Sequence, residues 1–150
     1  MLEDHRMISI PIQIRFADID MARHVHNAVY LHWFELARIA LFRKMVPDHH
    51  DWAEKGLILA RNEVDHRMPV ELGDEISVET WCESVGEKSI TLRYAVIRSN
   101  ALSGICAEGR SVLVCYDHHQ QKSVPVPQEW RSALEEQKND GSLSVHTRGK

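Results

Sequence analysis

Residues 18 to 27 read Asp18-Ile19-Asp20-Met21-Ala22-Arg23-His24-Val25-His26-Asn27, which places two carboxylates and two imidazoles in one short polar stretch. The residues before it alternate. Ile8, Ile10, Ile12, Ile14 and Phe16 stand against Ser9, Pro11, Gln13 and Arg15, a period of two that predicts a strand with one buried face. If that parity continues, Asp18 and Asp20 point inward, where a carboxylate costs desolvation energy unless it is hydrogen-bonded or used. A helix is expected from about Asn27 onward, so its unpaired amides and positive dipole end lie beside these carboxylates. A carboxylate facing such amides suits attack on a carbonyl carbon, with the amides stabilising the developing oxyanion. The same spacing fits a structural role equally well, with Asp20 capping the approach to the helix.

Other chemistry is weaker in this sequence. His24 and His26 lie near two aspartates, but there is no HExxH helix and no ordered Cys/His spacing, so no metal site is expected. Asp48-His49-His50-Asp51 and Asp117-His118-His119 read as solvated loops. Ser103 and Ser111 sit in no GxSxG elbow, and Cys115 has no activating neighbour pattern. No glycine-rich phosphate loop occurs, which argues against nucleotide hydrolysis and a dinucleotide site.

The positioning elements follow from periodicity. From Asn27 to Met45 apolar residues surround almost the whole circumference, broken only by His32, Glu35 and Arg38, which predicts a buried helix about 28 Å long. Pro47 and Asp48 end it. Strands are predicted over 57–68, 75–83, 89–98 and 105–116, with short connections that favour antiparallel neighbours. Pro11 places the first strand at an edge or bulge. An amphipathic helix over 127–138 carries Trp130, Ala133 and Leu134 on one face. The expected fold class is α+β, one long helix wrapped by an antiparallel sheet of about five strands. A single domain spans 1–139, and 140–150, without periodicity, reads as a flexible tail.

Composition narrows the partners. Eighteen Lys and Arg against 22 Asp and Glu leave a net charge of −4, so no basic surplus drives binding to nucleic acid. The most apolar stretch, 28–45, is interrupted by Glu35, Arg38, Arg43 and Lys44, short of a membrane span. The first ten residues lack the apolar core of a signal peptide, and three cysteines without CxxC spacing read as free thiols in a reducing cytoplasm.

Three runs then carry a specific likeness: Phe16-Ala17-Asp18-Ile19-Asp20, His24-Val25-His26-Asn27-Ala28-Val29-Tyr30-Leu31, and Trp33-Phe34-Glu35-Leu36-Ala37-Arg38. Together with Pro69, Gly73-Asp74, Gly86, Lys88-Ser89, Val112 to Tyr116 and Pro127, they resemble the hot-dog acyl-CoA thioesterases of the 4-hydroxybenzoyl-CoA thioesterase family over roughly residues 8–136. The resemblance implies a hot-dog fold paired into homodimers or homotetramers. It implies hydrolysis of an acyl-CoA without metal or cofactor, coenzyme A entering as part of the substrate. The family's catalytic aspartate falls on Asp20, as nucleophile or general base, and its carbonyl-polarising backbone amide on Asn27.

Arg23, His24, His26 and Tyr30 are the side chains it places next to the substrate. Two of these depart from the family pattern. Arg23 stands where glycine or another small or polar residue is common, and either narrows the entrance, meets a CoA phosphate or is simply solvated. His26 replaces the commoner asparagine, and either orients the carboxylate or packs. Two other readings stay open, an acyl-carrier-protein thioesterase and a non-catalytic acyl-CoA-binding domain. A binder has no need of a carboxylate such as Asp20 beside a thioester.

Overall fold

A computed structural model describes residues 7–139; the tail expected over 140–150 lies outside the described residues. In chain order the elements are β1 (Ile8–Ile12), a 3-10 turn (Phe16–Asp18), α1 (Val29–Met45), β2 (Gly56–His66), β3 (Ile76–Val85), β4 (Ser89–Arg98), β5 (Gly104–Asp117), β6 (Lys122–Ser123) and α2 (Gln128–Asn139). The sheet runs β1-β3-β4-β5-β2, antiparallel throughout, and the two-residue β6 extends it beside β5. Its inner face wraps α1 and α2, giving the α+β hot-dog architecture.

β1 lies at one edge, where Pro11 needs no ladder partner for the hydrogen it lacks. β2 forms the other edge. It is eleven residues long, contains no proline and hydrogen-bonds to β5 alone among the described residues.

The alternation of the first strand does not persist to Asp20. β1 ends at Ile12, and the Asp18 carboxylate draws the chain into the 3-10 turn by accepting the Arg15 N–H at 2.8 Å. The parity breaks there: Phe16 is 84% exposed and Asp20 lies at the surface, while Asp18, 1% exposed, points inward as expected. The inward orientation expected of Asp20 is therefore corrected. A local carboxylate–amide bond outweighs the burial of one phenyl ring at the end of a strand.

α1 also departs from expectation. It begins at Val29, two residues late, because His26 to Ala28 are held in a turn. His26 O accepts the Val29 N–H at 2.9 Å, and His26 Nδ1 accepts the Ala28 N–H at 3.1 Å. Nor is α1 buried all round. Tyr30, Trp33, Phe34, Ala37, Leu41 and Phe42 face the sheet, whereas Leu31, Leu36 and Ile39 are exposed, since the sheet covers one side only.

The contact between α1 and the sheet is close. Phe34 stacks on Tyr94 with centroids 4.3 Å apart, over Gly109, where a Cβ would stand 2.5 Å from Phe34 Cζ. α2 covers the far end of the core. Trp130 packs against Phe42, and Gln137 Oε1 accepts the Cys82 N–H at 2.8 Å. All three cysteines are buried, and none forms a disulfide among the described residues.

Candidate active site

The segment between the 3-10 turn and α1 folds back on itself. Ile19 and Val25 form an antiparallel bridge, Asp20 N–H donates to His24 O at 2.9 Å, and Arg23 N–H donates to Asp20 O at 3.0 Å. Asp20 Oδ1 accepts the Ala22 N–H at 2.9 Å and the His24 N–H at 3.3 Å. This Asx-type closure fixes the carboxylate by one oxygen. Among the described residues Oδ2 has no partner, and the Asn27 N–H has no acceptor.

A cavity of about 560 Å³ opens at this point. Asp20, His24, His26, Asn27 and Tyr30 line one side, and His66, Arg67, Met68 and Pro69 line the other. Five of the six residues singled out in the sequence are thereby gathered around one space. The sixth, Arg23, is exposed at the tip of the loop with φ 65°, outside the cavity lining. That left-handed conformation is the physical reason glycine suits the position, because a Cβ is strained there.

Tyr30 is buried against His66, edge-on at 4.6 Å. Burial pushes its phenol up to about 12, with Cys106 and Asp74 adding to the rise and Arg98 opposing it. It therefore remains a protonated donor at neutral pH and is not a base.

The far wall was missed in the sequence. His66, Arg67 and Met68 read there only as the end of a strand; what brings them to Asp20 is the return of that strand along β5, where Cys106 O accepts both Arg67 N–H and Met68 N–H.

Asp18 has a different task. Its carboxylate accepts Arg15 Nη2 at 2.8 Å and Nε at 3.2 Å, while its backbone oxygen accepts the His26 N–H at 2.8 Å. It thus ties the turn to the start of α1. Burial alone would raise its pKa, but hydrogen bonds from the Arg15 side chain and backbone, with the charges of Arg15 and His32, hold it below the usual carboxylate value.

A depressed folded-state pKa gives stability that is fully present above the unfolded value near 3.8 and is lost as pH falls through the folded value. Asp18→Asn should cost about 1–3 kcal/mol near neutral pH, the range for hydrogen bonds to a charged group when the partner, Arg15, is itself exposed. The variant should also lose part of the wild type's acid sensitivity below about pH 4. Thermal melts of both proteins between pH 2.5 and 7 check this.

The remaining candidates lie elsewhere. Asp48–Asp51 and Asp117–His119 converge at the opposite end of α1, where His119 Nε2 stands 3.9 Å from Asp51 Oδ2. They are not simply solvated, as expected from the sequence. His50 Nε2 donates to Lys55 O at 2.8 Å beside Trp52 and Trp130, and buried Asp117 caps His119 and Gln120. Among the described residues no three His, Cys, Asp or Glu side chains gather closely enough to hold a metal ion. Ser111 Oγ donates to Asn62, and burial pushes the Cys115 thiol up to about 11, so neither is an activated nucleophile.

An antiparallel hot-dog sheet around one long helix is the architecture of a class of thioester-processing proteins. The chain belongs to the thioesterase-like superfamily, which matches residues 14–134, and it is a thioester hydrolase. A thioesterase from Thermus thermophilus, solved complexed with coenzyme A and Zn, is 30% identical, with a TM-score of 0.77 over 92% of this chain and 98% of that one. The long-chain acyl-CoA thioesterase FadM of Escherichia coli (strain K12) is 26% identical, covering 83% of this chain and 95% of its own. The acyl-CoA thioesterase YbgC of Haemophilus influenzae is 24% identical, over 84% and 93%.

Proposed function

We propose that the protein hydrolyses an acyl-CoA thioester to the free acid and coenzyme A, with Asp20 as the reactive carboxylate. The observation that supports this most is the pairing, in one cavity, of a carboxylate held by a single oxygen with the unpaired Asn27 N–H. The Asn27 amide, at the positive end of α1, polarises the thioester carbonyl. Asp20 Oδ2 then either adds to the carbonyl carbon, forming an anhydride that water cleaves, or takes a proton from the water that attacks. In both routes the C–S bond breaks and the thiolate of coenzyme A leaves and is protonated.

His24, His26 and Tyr30 line the substrate's path, and Arg23, exposed beside Asp20, is a cation available to a CoA phosphate. No metal or other cofactor takes part in this scheme. Three buried cysteines without a disulfide among the described residues fit a cytoplasmic protein. Among the described residues no helix is long and apolar enough to cross a membrane.

The test is thiol release from a panel of acyl-CoA and acyl-carrier-protein substrates, with and without EDTA. The proposal expects turnover of at least one acyl-CoA, with kcat/KM above that for the same acyl group on carrier protein, unchanged by EDTA. Preference for the carrier protein would transfer the activity to that substrate. Binding without turnover would make the protein an acyl-CoA-binding domain, and loss of activity in EDTA would require a metal.

The working unit is a homodimer or homotetramer. β2, with one free edge, exposes Ile58 and Leu59, and a groove of about 520 Å³ beside it is lined by Ile39, Phe42, Trp52, Leu57 and Leu113 together with Glu35, Arg38 and Arg43. A long unpaired edge next to exposed apolar side chains is a surface that soluble proteins cover. Light scattering at micromolar concentration should give at least twice the chain mass; a monomer would contradict it.

A further inference from the structure

We propose that Arg98, which is not part of the cavity lining, is a positioning residue that sets the geometry of the Asp20 site through the segment 67–74; this rests on the reading of that site as thioesterase. Arg98 ends β4 and is only 7% exposed, so its charge must be matched where it lies. Its Nε donates to Leu102 O at 2.7 Å, and its Nη1 donates to Pro69 O at 3.0 Å and to Asp74 Oδ2 at 3.1 Å. The same Asp74 oxygen accepts the Glu71 N–H at 2.9 Å. One guanidinium therefore joins the end of β4 to both ends of the loop that carries Pro69 and closes at Asp74.

That loop touches the site in two places. Met68 and Pro69 form part of the cavity wall facing Asp20. One residue on, fully buried Val70 accepts the Val25 N–H at 2.7 Å, and Val25 is bridged to Ile19 across the loop that holds Asp20. The chain of contacts is short: Arg98, Pro69 O, Val70 O, Val25 N–H, Asp20. A shift at Pro69 moves the wall and pulls on the Asp20 loop together. Catalysis that depends on a carboxylate and an amide meeting one carbonyl is sensitive to displacements of this kind.

The fork geometry of arginine makes the idea testable. Lysine keeps the positive charge for Asp74 but cannot serve Leu102 O, Pro69 O and the carboxylate at once. Arg98→Lys should lower kcat on the best acyl-CoA by about 10-fold, with KM changed less than about 3-fold, while remaining folded. The amides of Asp20, Val25 and His26 should exchange with deuterium faster than in wild type.

Glu83→Gln is the control. It weakens the bonds from Arg93 Nη1 and Arg110 Nη2 away from the cavity, so it should lower the melting temperature without changing kcat or those exchange rates. If Arg98→Lys does not fold, Asp74→Asn loosens the same clamp and should move both readouts in the same direction by less. Unchanged exchange at Asp20, Val25 and His26, or a kcat loss no larger than in a Glu83→Gln protein compared at the same interval below its melting temperature, would overturn the proposal. If wild type releases no thiol from any acyl-CoA or carrier-protein substrate, the thioesterase reading fails, and the exchange rates still decide whether Arg98 positions the loop.

Discussion

Asp20→Asn should lose on the order of 10²–10⁴ in kcat while folding and assembling as wild type does. That loss corresponds to about 2.7–5.4 kcal/mol of transition-state stabilisation. The substitution keeps the shape of the side chain and one oxygen. That oxygen can still accept the Ala22 and His24 N–H groups that close the loop. What disappears is the negative charge and the basic lone pair of Oδ2, which the proposed reaction uses. Since Asp20 is exposed and forms no ion pair among the described residues, stability should change by no more than about 0.5 kcal/mol. Asp18→Asn should show the reverse pattern, a lower melting temperature with a far smaller effect on rate. Measuring kcat and melting temperature for both variants on one acyl-CoA separates the two aspartates. A folded Asp20→Asn protein with near-wild-type kcat would remove Asp20 from the reaction.

Trp130→Ala should be the most destabilising single change in α2, by about 3–5 kcal/mol. The indole is 1% exposed and lies within an aromatic cluster, with ring centroids 5.6 Å from Phe42, 5.9 Å from Trp52 and 5.6 Å from His50. Removing it leaves a cavity between α2 and the end of α1 that these rings cannot close without leaving one another. Against a total stability of roughly 5–15 kcal/mol, such a loss is a large fraction, and the melting temperature should fall by on the order of 10 °C. Calorimetry of the two proteins checks this. A shift of only a degree or two would mean that α2 contributes little to the core.

The sequence showed α2 for the reason that Trp130 matters: Trp130 and Leu134 recur at helical spacing and both are buried. Period-two alternation likewise located β3, β4 and β5 to within a residue or two, and Pro11 marked an edge strand. Asp20, His24, His26, Asn27 and Tyr30 could be gathered from sequence because they lie in one continuous segment. The opposite wall could not, since His66 to Pro69 reach the cavity only through pairing of β2 with β5. Parity failed at Phe16 because one hydrogen-bonded carboxylate, Asp18, changed the backbone from extended to 3-10. Periodicity reports which residues are apolar, not where a buried carboxylate bonds a backbone amide and turns the chain. The expectation of an α1 buried on every side failed for a related reason, since Leu36, at 51% exposed, faces away from the one sheet among the described residues.

The most direct test of the site is a crystal structure of the protein with a dethia analogue of an accepted acyl-CoA, in which a methylene group replaces the thioester sulfur and the carbonyl remains. The carbonyl oxygen should lie about 2.7–3.1 Å from the Asn27 nitrogen, with Asp20 Oδ2 on the side from which the carbonyl carbon, or a water beside it, is attacked. An analogue whose carbonyl lies outside the cavity between Asp20 and Met68, with Asn27 N–H turned to solvent, would contradict the account.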